Sequence, residues 1–368
     1  MPDIRLNNRY FELVRQHMQH AKGTASGPVV PVSVENSFAV TQATWRFFAN
    51  ERVTPLALVE PLRQFARDQL AKVNFNINTN DSANVVANIN AHDGVNVDVG
   101  VDATVNRNAD ANAADSIADG RITANATTNY ALAVVDWSKL DYKKHTAKHD
   151  IVQLTHQRDI GYELTTQLLV DTRNGQPIAP IQMHLKTANG YLSTMSPDAA
   201  PPADLHHLEQ VLPMMHAAAA MRLPAKLVHV IDREADSVFH LRAWYAAGFS
   251  FLVRGDDRIV RWRGEPVKYE TIEAQLDAEG AFRRSRNVTI KGKPGVQVVA
   301  ETEIVCDRPA KRKIAVDKSV LIPGDAIVLR LVIVKVVDPA THKILSTWYL
   351  LTNVSSDVSA ETIALWYF

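Results

Sequence analysis

The order of apolar segments between residues 129 and 257 constrains the fold more than any other feature of the chain. Strand-like segments come first, and Asn174-Gly175 between two of them favours a hairpin turn. A predicted helix over 203–222 follows, then the strand KLVHVID, the predicted helix READSVFHLRAWYAAG and the strand FSFLVRG. An antiparallel meander followed by helix, strand, helix and strand predicts a mixed α/β layered fold.

The segments on either side of this region have other patterns. Residues 1–72 are predicted to be helical, with a helix start at Thr54-Pro55 and an apolar face of Leu58, Leu62, Phe65 and Leu70. Residues 73–128 are rich in Asn, and their period-two alternation is compatible with strands, although their low complexity favours disorder or a loosely packed excursion. Residues 258–345 are predicted to be a mostly β insertion, and residues 346–368 return to the core with a strand and the start of a helix.

Composition excludes several classes of protein. The 368 residues are 46% hydrophobic and 22% charged, which is ordinary for a globular protein, and no apolar run is long enough for a transmembrane helix. The first residues have no secretory signal pattern. Cys306 is the only cysteine, which rules out an intramolecular disulfide and argues against a cysteine zinc site. A cytoplasmic protein without a membrane partner is therefore expected.

Charge is unevenly distributed although the formal net charge is zero. Residues 74–138 contain eight Asp and two Arg, a net charge of −6, whereas residues 254–320 contain fifteen Lys or Arg and eleven Asp or Glu, a net charge of +4. The basic residues come in short bursts, which predict a DNA-binding surface or, alternatively, an ordinary solvated surface. The arginines in question are Arg258, Arg261, Arg263, Arg283, Arg284 and Arg286.

Two aspartates, Asp136 and Asp232, stand at the carboxyl ends of apolar strands. Strand ends of open α/β sheets are where ligands and catalytic groups collect. Two carboxylates on neighbouring strands can bind Mg²⁺, which prefers oxygen ligands, and such ions promote phosphodiester displacement. Taken singly, each aspartate also fits a turn residue or a helix cap. His206, His207 and His216 have ordinary surface spacing on a predicted helix and are assigned no role.

Several motifs, in order along the chain, resemble those of the bacterial insertion-sequence DDE transposases, in the branch that excises through DNA hairpins. VIDREADSVFHL resembles the family's second-aspartate motif, AVVDWSKLDY its first-aspartate strand, and FLVRGDDR the strand that follows. WYLLTNVSSDVSAETIALWYF is similar to the approach to the Tyr-x2-Arg-x3-Glu helix, with Tyr367 at the tyrosine position. TQATWRFFANERVT resembles the N-terminal DNA-binding region. The resemblance covers about residues 30–72 and 130–368, and residues 73–128 have no counterpart.

The resemblance implies a fold, an activity and a set of site residues. It implies a ribonuclease-H-like core over 129–257 and 346–368, interrupted by the β insertion, in a nucleoid-associated transposase. Asp136 and Asp232 would be catalytic ligands of Mg²⁺, or of Mn²⁺ as a substitute, with Arg233, Glu234 and Tyr367 supporting them. The partners would be double-stranded DNA, as transposon ends and target, and a second copy of the chain in the complete family.

The family's third carboxylate would fall beyond Phe368. The expectations are therefore a DDE transposase, incomplete as given, or a non-catalytic DNA-binding remnant or regulator.

Overall fold

A computed structural model describes residues 50–79, 129–144, 147–154, 158–195, 206–315 and 318–368, with positions 4, 5 and 8 near the start of the chain. The described residues form a mixed α/β fold around one large sheet of thirteen strands, accompanied by a separate two-stranded ribbon. The mixed α/β class predicted from the sequence is confirmed. Among these residues, no helix is both long and apolar enough to cross a membrane.

Helices and strands follow the predicted order along the chain. The helices are α1 (Pro55–Thr79), α2 (His207–Ala220), α3 (Val238–Ala246), α4 (Tyr269–Ala278) and α5 (Ala360–Tyr367), with a single 3-10 turn at Arg233–Ala235. The first seven strands are β1 (Tyr130–Asp141), β2 (Val152–Gln153), β3 (Ile160–Asp171), β4 (Pro177–Thr187), β5 (Gly190–Ser193), β6 (Lys226–Ile231) and β7 (Ser250–Gly255). The others are β8 (Ile259–Trp262), β9 (Glu265–Lys268), β10 (Arg283–Ile290), β11 (Lys293–Cys306), β12 (Ala310–Ala315), β13 (Lys318–Ile322), β14 (Ile327–Val337) and β15 (Ile344–Thr352).

The main sheet has the strand order β5-β4-β3-β1-β6-β7-β15-β14-β11-β8-β9. Two further strands lie off this path: β2 pairs with β3, and β10 pairs with β11. Strands β1, β3 and β4 are antiparallel neighbours, and the predicted hairpin lies between β3 and β4, where Gly175 has a positive φ of 69°. Strands β6 and β7 run parallel to β1. Strand β15 then pairs antiparallel with β7, and β14 and β11 follow it. The β-rich segment therefore extends the same sheet.

The two faces of the sheet are covered by different helices. Strand β1 shows this, because its side chains alternate between the faces. Ala131, Ala133 and Val135 belong to the core under α1, α2, α3 and α4, which we call the four-helix face. Tyr130 and Leu132 belong to a second core under α5, which we call the α5 face.

Three local predictions need correction. Helix α1 buries Val59, Ala66 and Leu70, while Phe65, predicted to be on its apolar face, is 47% exposed. The buried face also includes Arg63, which donates to the main-chain carbonyls of Ile181 and Thr194 and so ties α1 to the sheet.

The segment boundary at residue 72 also differs, because α1 continues to Thr79, and the rest of the Asn-rich segment, 80–128, lies outside the described residues. The single helix predicted from Arg233 is in fact a 3-10 turn followed by α3, which begins after the N-cap Ser237.

Candidate active site

Asp136 and Asp232 lie side by side where the parallel pairing of β1 with β6 stops. Asp232 directly follows β6, but β1 continues past Asp136 to Asp141 in its pairing with β3, so the prediction that Asp136 ends its strand is wrong. In the register of β1 and β6, Val135 is paired with Ile231, and each aspartate is the next residue. Neighbouring strands are about 4.8 Å apart, so the two main chains are close at this point. Both aspartates are exposed. By the alternation of side chains, both fall on the α5 face.

Arg254 continues this row on the next strand. Val253 of β7 is paired with Ile231 of β6, so Arg254 lies opposite Asp232. Leu252 belongs to the core under α5, and two residues on, Arg254 is on the same face. Arg254 stands in the motif FLVRGDDR, which by itself assigns it no role. Register across three strands reveals it, because it aligns a cation with the two carboxylates.

Tyr367 brings α5 to the same place. The hydroxyl of Ser359 caps the start of α5 by accepting from the Thr362 N–H at 3.2 Å. At the other end of the helix, the Tyr367 hydroxyl donates to Asp232 Oδ1 at 3.2 Å. Burial, and then the negative charge of Asp232, raise the pKa of the Tyr367 phenol well above its ordinary value, whereas Arg254 opposes the shift. The phenol therefore stays protonated and serves as a hydrogen-bond donor.

Arg233 and Glu234, also predicted to support the site, have partners outside the aspartate pair. Arg233 Nη1 lies 3.3 Å from Asp256 Oδ1, and both side chains are exposed. Glu234 Oε2 lies 3.1 Å from His207 Nε2, at the start of α2. Arg233 and Glu234 therefore stabilise the turn after β6 through their own partners. They do not lie in line with Asp136, Asp232 and Arg254.

Asp236 is the last residue of the segment Asp-Arg-Glu-Ala-Asp at 232–236. Its side chain is buried and accepts several hydrogen bonds. Its carboxylate receives the Asp256 N–H at 2.8 Å and Arg258 Nε at 2.7 Å, and Arg258 Nη2 also donates to it. This ties the start of α3 to the turn after β7 and explains why the 3-10 turn interrupts the predicted helix. Arg258, predicted to bind DNA, is thus held by a buried carboxylate.

Two of the other arginines lie along α5. Arg283 Nε is 3.2 Å from Glu361 Oε1 in the first turn of this helix. The Arg286 guanidinium stacks over the Phe368 ring at 4.4 Å, and burial lowers its pKa. Both arginines therefore border the helix that reaches Asp232.

The remaining three arginines of the bursts bind other side chains of the fold. Arg261 is on β8, five strand positions from β6 in the sheet order, which is about 24 Å. It binds Asp307 at 2.6 Å, and Arg263, in the turn after β8, binds Glu279 at 2.6 Å. Arg284 donates to Asn287 at 2.9 Å. The partners of Arg261 and Arg263 are 46 and 16 residues away along the chain, whereas Asn287 is three residues from Arg284 on the same strand.

The donor set at the aspartate pair suits a hard cation. Two exposed carboxylates on one face offer oxygen ligands, and Mg²⁺ commonly takes one or two carboxylates and completes its shell with water and phosphate oxygens. In the part of the chain that the structure describes, no group of three or more His, Cys, Asp or Glu side chains is arranged to hold a metal ion. The residues present therefore fit a single, partly solvated ion held by Asp136 and Asp232.

Comparisons with known proteins leave the family of the chain open. No protein-family model and no curated protein sequence matches it. A solved structure that it resembles is endonuclease V of Ciona intestinalis, in complex with a 24mer DNA containing an inosine followed by a ribo-adenosine. The similarity covers 64% of this chain and 74% of that chain, with 11% identity and a TM-score of 0.25. Values this low identify neither a fold nor an activity.

Proposed function

We propose that this protein acts on DNA as a metal-dependent phosphodiester-cleaving and strand-transfer enzyme of the DDE transposase type. The observation that carries the proposal is the pairing of Asp136 and Asp232 on one face, with Tyr367 donating to Asp232. These three residues come from distant parts of the sequence. Each of them also stands in a motif that resembles the transposase family.

The strand order supports a ribonuclease-H-like core for this enzyme. Three antiparallel strands, β4, β3 and β1, are followed by two strands parallel to β1, and helices α2 and α3 precede and follow β6. In this arrangement the first aspartate lies on β1 where its parallel pairing with β6 stops, and the second directly follows β6. We propose that residues 258–345 are an insertion that widens this core.

The side chains of the site suggest a division of roles. Asp136 and Asp232 would bind a Mg²⁺ or Mn²⁺ ion, which would stabilise negative charge on the scissile phosphate and lower the pKa of an attacking water. Arg254 would contact a phosphate oxygen beside the carboxylates. The Tyr367 phenol would orient the Asp232 carboxylate through its hydrogen bond. Arg283 and Arg286 would border the DNA along α5.

A cleavage assay tests this proposal. Labelled duplex DNA carrying the sequences on either side of the coding region is incubated with the protein and Mn²⁺. Nicking should be lost in Asp136→Asn and in Asp232→Asn. Asp141→Asn is a matched control, because Asp141 is an exposed aspartate at the end of the same strand as Asp136. Nicking that persists in both site variants would overturn the proposal.

A second function, DNA binding without cleavage, is favoured by one observation. The described residues bring together two carboxylates but no group of three metal-binding side chains. A DDE-type displacement uses carboxylates on both sides of the reacting phosphate, and removing one member of such a unit costs nearly as much as removing all of them. Salt-dependent DNA binding by the 368-residue polypeptide, with no nicking in Mn²⁺, would support this remnant or regulator.

A further inference from the structure

The segment that carries Asp232 has little hydrogen bonding of its own. It is a single 3-10 turn in which Ala235 N donates to the Asp232 carbonyl at 3.0 Å and Asp236 N to the Arg233 carbonyl at 3.3 Å. The Asp232 side chain does not cap this turn. A metal site needs its ligands held within about 0.5 Å of a productive geometry. The position of Asp232 therefore depends on contacts made by the rest of the turn.

One such contact is a bridge on the four-helix face, through His207. Its Nε2 lies 3.1 Å from Glu234 Oε2, and its Nδ1 lies 3.4 Å from Glu163 Oε2. Carboxylates only accept hydrogen bonds, so a ring nitrogen of His207 binds its carboxylate by donating when it carries a proton, and each of the two nitrogens faces one carboxylate. His207 thus links the turn after β6 to strand β3.

The buried end of this bridge is well anchored. The Glu163 side chain is 10% exposed, whereas that of Glu234 is 66% exposed. The hydrogen bond from His207 is the largest cause of a lowered pKa at Glu163, so this carboxylate is held in its charged form. The His207 ring packs against Trp137, the residue after Asp136, with ring centroids 4.8 Å apart. From the four-helix face, His207 therefore contacts a residue close to each aspartate, Trp137 after Asp136 and Glu234 after Asp232.

We propose that His207 is a positioning residue for Asp232, acting through Glu234. Tyr367 holds Asp232 from the α5 face, and the bridge from Glu163 through His207 to Glu234 holds the same turn from the opposite face. As a role in metal binding, this inference rests on the proposed function. The tether itself is a property of the fold that can be measured without any activity.

Hydrogen exchange at the amides of residues 232–236 tests the tether. His207→Phe keeps a ring against Trp137 but removes both ring nitrogens, and Glu234→Ala breaks the bridge at its exposed end. Each should raise exchange at 232–236 by roughly fivefold, the size expected for a partly exposed charged hydrogen bond. His216→Phe is the matched control, because His216 is an exposed histidine on the same helix. It should leave exchange at 232–236 unchanged.

The outcomes separate the tether from the proposed function. Unchanged exchange in His207→Phe and Glu234→Ala would overturn the tether, and if His207→Phe does not fold, Glu234→Ala decides alone. Titration with Mn²⁺ should give an affinity roughly tenfold lower in Glu234→Ala than in the wild type, at an unchanged urea midpoint, because the Glu234 side chain is 66% exposed. A merely structural role would move the midpoint and not the affinity. A wild type that binds no Mn²⁺ would contradict the proposed function, while the exchange data would still decide on the tether.

Discussion

Replacing Asp236 with alanine removes the carboxylate on which the loops beside the candidate site converge. The Asp236 side chain is 4% exposed, and it accepts from the Asp256 N–H and from two nitrogens of Arg258. The substitution leaves one backbone N–H and one guanidinium without their acceptor. The turn after β7 and the start of α3 then lose their common anchor.

The expected cost follows from the burial of each partner. Breaking a buried ion pair by removing one partner costs about 3–5 kcal/mol, because the other charge stays buried. The Arg258 side chain is 45% exposed and can regain water, which reduces this penalty. We expect Asp236→Ala to lower the free energy of unfolding by about 2–3 kcal/mol, or roughly 30- to 150-fold in the unfolding equilibrium constant.

Urea denaturation, followed by circular dichroism, measures this difference. The control is Arg263→Ala, because the pair of Arg263 and Glu279 is exposed on both sides, and this variant should unfold close to the wild type. An Asp236→Ala variant with the wild-type midpoint would refute the reasoning, since it would mean that the buried carboxylate contributes nothing. That result would also mean that the ion pair with Asp236 does not hold Arg258, which would then be available to bind DNA.

Three other predictions address stability, metal binding and DNA binding. His229 is buried, and desolvation lowers its pKa to about 3, so the unfolded chain takes up a proton that the folded chain does not as the pH falls below about 6.5. Between about pH 7 and pH 4.5 its contribution should lower the free energy of unfolding by about 2–3 kcal/mol, and His229→Gln, compared by urea denaturation, should lose that part of the slope. Asp232→Asn should weaken Mn²⁺ binding at least about tenfold in calorimetry without lowering the urea midpoint, and equal affinity would exclude Asp232 as a ligand. Arg254→Ala should reduce the slope of log K against log salt for duplex DNA by about 0.9, and an unchanged slope would mean that Arg254 contacts no phosphate.

Much of the fold could be predicted from the sequence, because local patterns determine it. Apolar runs, the Asn174-Gly175 turn and the helix start at Thr54-Pro55 are each read from a few neighbouring residues, and the structure has strands, a hairpin and a helix there. The prediction was wrong at Phe65, where helical spacing alone did not identify the buried side. Helix α1 instead buries the face that carries Arg63, because the main-chain carbonyls of Ile181 and Thr194 accept hydrogen bonds from the Arg63 guanidinium.

In the candidate site, too, some features could be predicted from the sequence and others depend on tertiary contacts. The sequence by itself determined which residues follow the apolar runs and stand in recognisable motifs, and so it singled out Asp136, Asp232 and Tyr367. Only the tertiary structure decided what lies beside them: Arg254 in the same row, and His207 behind the turn. The physical reason is that these contacts join residues far apart in sequence, through strand register and helix packing. The basic bursts show the limit of charge counting, since Arg258 and Arg263 are paired with acidic side chains that become neighbours only in the folded chain.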